Sequence, residues 1–330
     1  MTKRIKFLDV AKGLLILIVV FHHVTLYSLS QDEVYRDFYN QCVFFYGSFF
    51  MPAFFLISGY CSNFNKNYKE FFINNLIGII IPYFALGLIN RIEVGLFSQD
   101  FTRFYDYFDL KFWLLLKDLW FLSVLFICKM IVFAIKKAEI NRFFISSVLL
   151  FLCILGIWLG AINDPTNYFC YKHCLVSLFF VYLGTEMKRI GMIEKADLLY
   201  GAIAFIIIQI AGYLIKQPFP MFTWWIGIQH KYIPVFIVLA LLGTSFIIWI
   251  SQKINKNTVF EYFGRNSIIV YCLHMPFVHF FYSLFYIGDD KSPLLQISNS
   301  LIGFLFVCLA MLPIIALFNT RILKLLAGKR

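Results

Sequence analysis

Charge is scarce in this sequence. Lys, Arg, Asp and Glu make up only 14% of its 330 residues, against 61% hydrophobic and 20% aromatic. A soluble protein of this length carries far more polar surface, so a water-soluble globular fold is excluded. No large soluble domain, internal repeat or low-complexity tract is visible. No small-x-small cleavage pattern follows the first apolar stretch, although Lys3, Arg4 and Lys6 precede it as they would in a signal peptide. With Asp9 and Lys12 inside it, that stretch reads as a first membrane span instead.

The eight cysteines suggest no framework. Cys61, Cys128, Cys153, Cys272 and Cys308 fall in apolar runs and are expected to pack as small hydrophobes. "CYKHC" sets Cys170, His173 and Cys174 at helical spacing, but no fourth ligand is near, so no metal is expected.

What the chain has instead is apolar runs of about 20 residues, the length that crosses a hydrocarbon core ~30 Å thick. They fall at 7–28, 43–62, 71–90, 119–135, 142–162, 170–187, 197–215, 231–251, 264–285 and 294–318. The net charge of +11 would suggest nucleic acid in a soluble protein. Here it reads as topology, because Lys and Arg crowd cytoplasmic loops. With both termini in the cytoplasm, the inner segments hold twice as many basic residues as the outer ones. The expected fold is all-α: one integral-membrane domain over 1–330, with about ten helices in a single bundle. Two outer segments stand out. "FTRFYDYFDLKFW" is polar and aromatic, and "KQPFPMFTWWIGIQHK" carries Trp224 and Trp225, as an interfacial belt or a sugar-stacking platform.

A charged side chain near the bilayer centre costs roughly 2.5–3.5 kcal/mol on insertion scales, so such residues tend to line cavities and carry function. The first span, "FLDVAKGLLILIVVFHHV", holds Asp9, Lys12, His22 and His23. The eleven residues from Lys12 to His23 make three turns plus about 20°, so the two share a face about 16 Å apart. Asp9, three residues before Lys12, is placed to pair with it. His22 points about 100° away and reads as structural. Bland alternatives remain: Lys12 snorkels to the cytoplasmic interface, and His23 bonds a neighbouring helix.

A second polar stripe lies in "FGRNSIIVYCLHMPF", where Ser267, Tyr271 and His274 are spaced i, i+4, i+7 behind Arg265 and Asn266. A helix–helix hydrogen-bond seam is the alternative. In "FFMPAFFLISGY", Pro52 is expected to disturb the helix, and Ser58 and Gly59 to allow close backbone approach. Lys129, inside the fourth span, snorkels unless something anionic is near. Together these residues describe a polar track, cationic at the cytoplasmic end and imidazole-rich further out. It suits an anionic cytosolic ligand whose reactive end is threaded toward the outer face.

"LDVAKGLLILIVVFHH", "FFMPAFFLISGY", "DLWFLSVLF" and "GRNSIIVYCLH" resemble, in order and spacing, motifs of the membrane-bound acyltransferase 3 family. Within it the chain looks most like bacterial fucose 4-O-acetylase-type and polysaccharide O-acetyltransferases. The resemblance implies ten core helices in the bacterial cytoplasmic (inner) membrane. It also implies transfer of an acetyl or other acyl group from cytosolic acyl-CoA, a co-substrate rather than a bound cofactor, to a sugar hydroxyl. The family's first-span signature, an arginine and then an essential histidine, falls on Lys12 and His23, so His23 inherits the catalytic role. Lys12 keeps the charge of the usual arginine and loses its bidentate fork. Many members carry an arginine cluster after the second span; none lies between Lys69 and Arg91 here. On this basis Lys12, Lys129 and Arg265 are expected to hold acyl-CoA and Asp9 to orient Lys12. Ser58, Tyr271 and His274 are candidate oxyanion or acceptor contacts. The rival reading is a transporter or flippase for a lipid-linked or polymeric glycan, with the track as its conduit; the inverted repeats common in transporters are not visible. A sensor or scaffold with an inert polar seam is a third.

Overall fold

In lipid an open chain can satisfy its backbone hydrogen bonds only as a helix. Among the described residues every regular element is helical. The structure, a computed structural model, describes residues 5–29, 33–98, 119–160, 168–195, 198–214, 233–285 and 293–329. The two aromatic outer segments, with Trp224 and Trp225, lie outside the described residues.

The first span is one helix, α1 (Lys6–Leu29). The second is split: α2 (Glu33–Tyr46) and α3 (Phe50–Cys61) meet at a turn over 47–49. Pro52 therefore sits in the first turn of α3, where its missing N–H has no intrahelical partner to lose, and it opens that helix rather than disturbing it. Next come α4 (Tyr68–Asn75) and α5 (Ile81–Ser98), joined without a break by a π-turn at Leu76–Ile80. The widened turn gives room to the Pro82 ring, which would clash with the preceding turn of a regular helix.

The remaining elements are α6 (Trp120–Lys137), α7 (Arg142–Gly160), α8 (Tyr171–Ile190), the short α9 (Met192–Lys195) and α10 (Leu199–Leu214). They continue with α11 (Ile233–Ile254), α12 (Thr258–Arg265), α13 (Ser267–Phe285) and α14 (Pro293–Phe318). The expected ninth span is thus two helices, broken at Asn266.

Among the described residues, seven stretches are long and apolar enough to cross a bilayer: Lys6–Leu26, Cys42–Cys61, Tyr68–Glu93, Arg142–Gly160, Ile233–Ile254, Ser267–Phe285 and Leu294–Phe318. The expected spans in α6, α8 and α10 are not among them, and the reasons differ. Helix α6 carries Lys129, Lys136 and Lys137 within 18 residues. Helix α10 has only 16 residues. Helix α8 has 20, but it is an interior helix whose Lys172, His173, Ser177 and Thr185 are all buried. A helix that faces protein needs no lipid-compatible surface. Those that do face outward, α7 and α14, expose Phe143, Phe144, Phe151, Ile302, Leu305 and Leu309.

Two glycine seams fix the interior. A β-carbon at Gly59 would overlap the Val181 carbonyl oxygen, and one at Gly184 the Leu56 carbonyl oxygen, so α3 and α8 touch backbone to backbone. Gly13 and Gly264 bring α1 against α12 in the same way, on the carbonyl oxygens of Phe260 and Asp9. After α14 the chain folds back, and Gly328 (φ +73°) rests on Gly78 and Pro82 at the π-turn.

Candidate active site

The basic end of the polar track is set by the crossing of α1 and α12. Asn257 caps α12, its side-chain oxygen accepting from the N–H groups of Val259 at 3.0 Å and Phe260 at 3.1 Å. The Gly13–Gly264 seam then holds the last residue of α12, Arg265, over Asp9. Asp9 is 2% exposed. Its Oδ1 lies 2.8 Å from Lys12 Nζ and its Oδ2 3.6 Å from Arg265 Nε. The far end of Arg265 donates to Glu261 Oε2 at 2.6 Å. Lys12 therefore turns back to Asp9 along its own helix. Lys129, half-buried on α6, lies within electrostatic range of Lys12 and Cys61.

Asn266 serves the fold. It donates to the Tyr262 carbonyl at 2.6 Å, accepts from Asn319 Nδ2 at 3.1 Å, and accepts from Lys329 Nζ. It ties the break between α12 and α13 to the C-terminal segment.

At the other end, α1 and α13 bring His23 and His274 together, with ring centroids 4.9 Å apart. A carbonyl oxygen only accepts, so an imidazole nitrogen facing one must carry the proton. His274 Nδ1 faces the carbonyls of Val270 at 2.8 Å and Tyr271 at 3.0 Å, so it is protonated and Nε2 is an acceptor. His23 Nδ1 faces the Val19 carbonyl at 2.9 Å and His274 Nε2 at 3.1 Å, and donates to both. The network thereby assigns the lone pair of His23 to Nε2. His274 is 1% exposed, whereas His23 keeps part of its surface accessible. His22 turns away and meets the Tyr46 hydroxyl at 3.1 Å.

Between the two ends, the Tyr271 hydroxyl accepts from the Phe121 N–H at 3.3 Å, one turn of α13 from His274. Lys129 is eight residues from Phe121, about 12 Å along α6, which brings it down to the level of Lys12. Trp120 packs on His173, ring centroids 4.6 Å apart. The backbone flanking these two rings is left-handed at three non-glycine residues, Leu119 (φ 49°), Phe169 (φ 52°) and Cys170 (φ 50°). Such conformations cost roughly 1–2 kcal/mol each and gather at functional sites. Asn90 braces the wall, donating to the Cys272 carbonyl at 2.8 Å.

The structure thus joins Asp9, Lys12 and Arg265, with Lys129 within electrostatic range of Lys12, and separately joins His23 to His274. Tyr271 stands between the groups, and Ser58 lies half-buried on α3, one turn from Cys61. His279, five residues beyond His274, lies near both imidazoles and had no signal in the sequence beyond that spacing. In "CYKHC" the side chains part: His173 meets Trp120, while Cys174 donates to the Phe169 carbonyl at 3.6 Å. Among the described residues, no three His, Cys, Asp or Glu side chains are grouped to hold a metal ion.

No curated protein and no solved structure matches the chain. One family model, described as an acyltransferase domain, matches residues 5–320. A multi-pass helical chain matched over nearly its whole length in this way belongs to the acyltransferase 3 family.

Proposed function

We propose that this membrane acyltransferase moves an acetyl or related acyl group from cytosolic acyl-CoA to a hydroxyl of a sugar or surface-glycan acceptor, with His23 as the catalytic base. The observation that carries this reading is the hydrogen bond between His23 and His274, which leaves an unprotonated nitrogen on a partly accessible imidazole. In this reading ten helices cross a bacterial cytoplasmic membrane, α6, α8 and α10 included, with both termini and Lys12 on the cytoplasmic side.

The anionic and amide portions of the donor sit at Lys12 and Lys129, with Arg265 behind Asp9. The pantetheine arm covers the interval of about 16 Å up α1 to His23. The acceptor oxygen attacks the thioester carbonyl as His23 Nε2 takes its proton. The carbon–sulfur bond then breaks, and the same nitrogen returns the proton to the departing thiolate. A base so positioned typically contributes about 10²–10⁴-fold. Tyr271, whose oxygen accepts from the Phe121 N–H, donates to the thioester oxygen in this reading. Ser58 is a second such donor. Trp120, backed by His173, offers a face to the sugar ring. The apolar walls exclude water that would hydrolyse the thioester.

Membranes containing the protein, given labelled acetyl-CoA, are expected to incorporate label into glycan as a base-labile ester. Membranes lacking the protein are not. Unlabelled glycan, together with glycan export that depends on the protein, would instead favour a conduit.

A further inference from the structure

The segment that follows α14 holds α13 by its first residue. Residues 319–329 fold into turns, and the last of them closes with two bonds at 2.9 Å: Lys329 N–H to the Lys324 carbonyl and Gly328 N–H to the Leu325 carbonyl. This pair of bonds around a left-handed glycine is a common stop for a helical turn. Ala327 is buried, and Gly328 lies against Gly78 so closely that a β-carbon on it would sit 2.8 Å from the Gly78 carbonyl oxygen. From this seat Lys329 Nζ donates to Asn319 Oδ1 at 2.6 Å and to Asn266 Oδ1. The strap therefore bears on the π-turn that leads into α5 and on the break that begins α13.

From Asn266 a run of hydrogen bonds climbs α13 to the imidazole pair. The Asn266 carbonyl accepts the Val270 N–H at 3.1 Å, the Val270 carbonyl accepts from His274 Nδ1 at 2.8 Å, and His274 Nε2 meets His23 Nδ1 at 3.1 Å. Residues 266, 270 and 274 are four apart, so they share one ridge about 12 Å long. Nearer the imidazoles, Asn90 holds the same helix to α5 through the Cys272 carbonyl. We propose that Lys329 is a positioning residue: through Asn266 it fixes the start of α13, and with it the place at which His274 holds the His23 ring. The consequence for catalysis rests on the proposed function; the clasp itself does not.

Hydrogen exchange of the full chain in nanodiscs reads the clasp with no acyl donor present. In Lys329→Met the amides of residues 270–275 are expected to exchange about tenfold faster than in wild type, while those of α7 do not change. Label transfer from acetyl-CoA to membrane glycan reads the consequence. Lys329→Met lowers kcat about 3–10-fold and leaves KM for acetyl-CoA unchanged, because a small misplacement at the reacting groups slows the chemical step. Lys329→Arg keeps the donor and the wild-type rate. Since the effect passes through His274, adding Lys329→Met to His274→Ala costs nothing further. Gly328→Ala lifts the strap from Gly78 and shows the same pattern, and it decides the matter if Lys329→Met is not recovered folded. Wild-type exchange or wild-type kcat in Lys329→Met, a raised KM, or a further loss beside His274→Ala each overturns the positioning role. Exchange that responds in a protein whose wild type transfers no label overturns the proposed function instead and leaves the clasp standing.

Discussion

His23→Ala is expected to lower acyl transfer by about 10²–10⁴-fold while the protein still folds. The side chain keeps part of its surface accessible and hydrogen-bonds through Nδ1 to Val19 and His274. Its loss therefore removes a proton acceptor more than it removes packing. His274→Ala is expected to cost less, about 10–100-fold, the usual range when the group orienting a functional imidazole is removed. Without His274, the Nδ1 proton of His23 keeps only the Val19 carbonyl, and the ring is held less firmly. His274→Gln separates orientation from bulk. A carboxamide oxygen can accept that proton as the imidazole does, so glutamine recovers activity that alanine does not. Rates of label transfer from acetyl-CoA, at matched amounts of folded protein, check all three variants.

Gly184→Ala is expected to be among the most destabilising single methyl additions in the interior of the described residues. The new β-carbon meets the Leu56 carbonyl oxygen and the Tyr60 nitrogen, which are backbone and cannot rotate aside. Overpacking of this kind typically costs about 1–3 kcal/mol, and rigid backbone puts it at the upper end or beyond. Helices α3 and α8 would have to separate, opening the aromatic packing around Phe55 and Phe121, whose rings are 4.8 Å apart. Gly78→Ala is the control. A β-carbon there meets nothing within 4 Å, so the variant is neutral or gains up to about 1 kcal/mol from helix propensity. Thermal unfolding of the purified variants in detergent reads the difference.

Much of the fold was legible because lipid leaves few choices. Runs of apolar residues announced α1, α7, α11, α13 and α14, and helical spacing placed Lys12 below His23 on one face. The breaks were harder to see. The turn over 47–49 and the break at Asn266 fall inside stretches read as single spans, and local backbone geometry reveals them. Helix α8 was recognised as a helix but resists the hydropathy criterion, because its environment is protein. The pair of Asp9 and Lys12 could be read from three-residue spacing. The meeting of His23 with His274 could not, since the two lie 251 residues apart and only tertiary packing joins them. Arg265 shows the same limit. Its charge was visible, whereas its partners, Asp9 across a glycine seam and Glu261 on its own helix, decide what that charge does.

Sidedness gives the most direct measurement. Labelled acetyl-CoA does not cross a bilayer, so under the proposed topology inside-out vesicles present it to the face that carries Lys12, and right-side-out vesicles do not. Label should enter glycan only in the inside-out vesicles, and His23→Ala should abolish it there. Labelling in right-side-out vesicles, or labelling that survives His23→Ala, would contradict a donor that enters beside Lys12 and delivers its acyl group at His23.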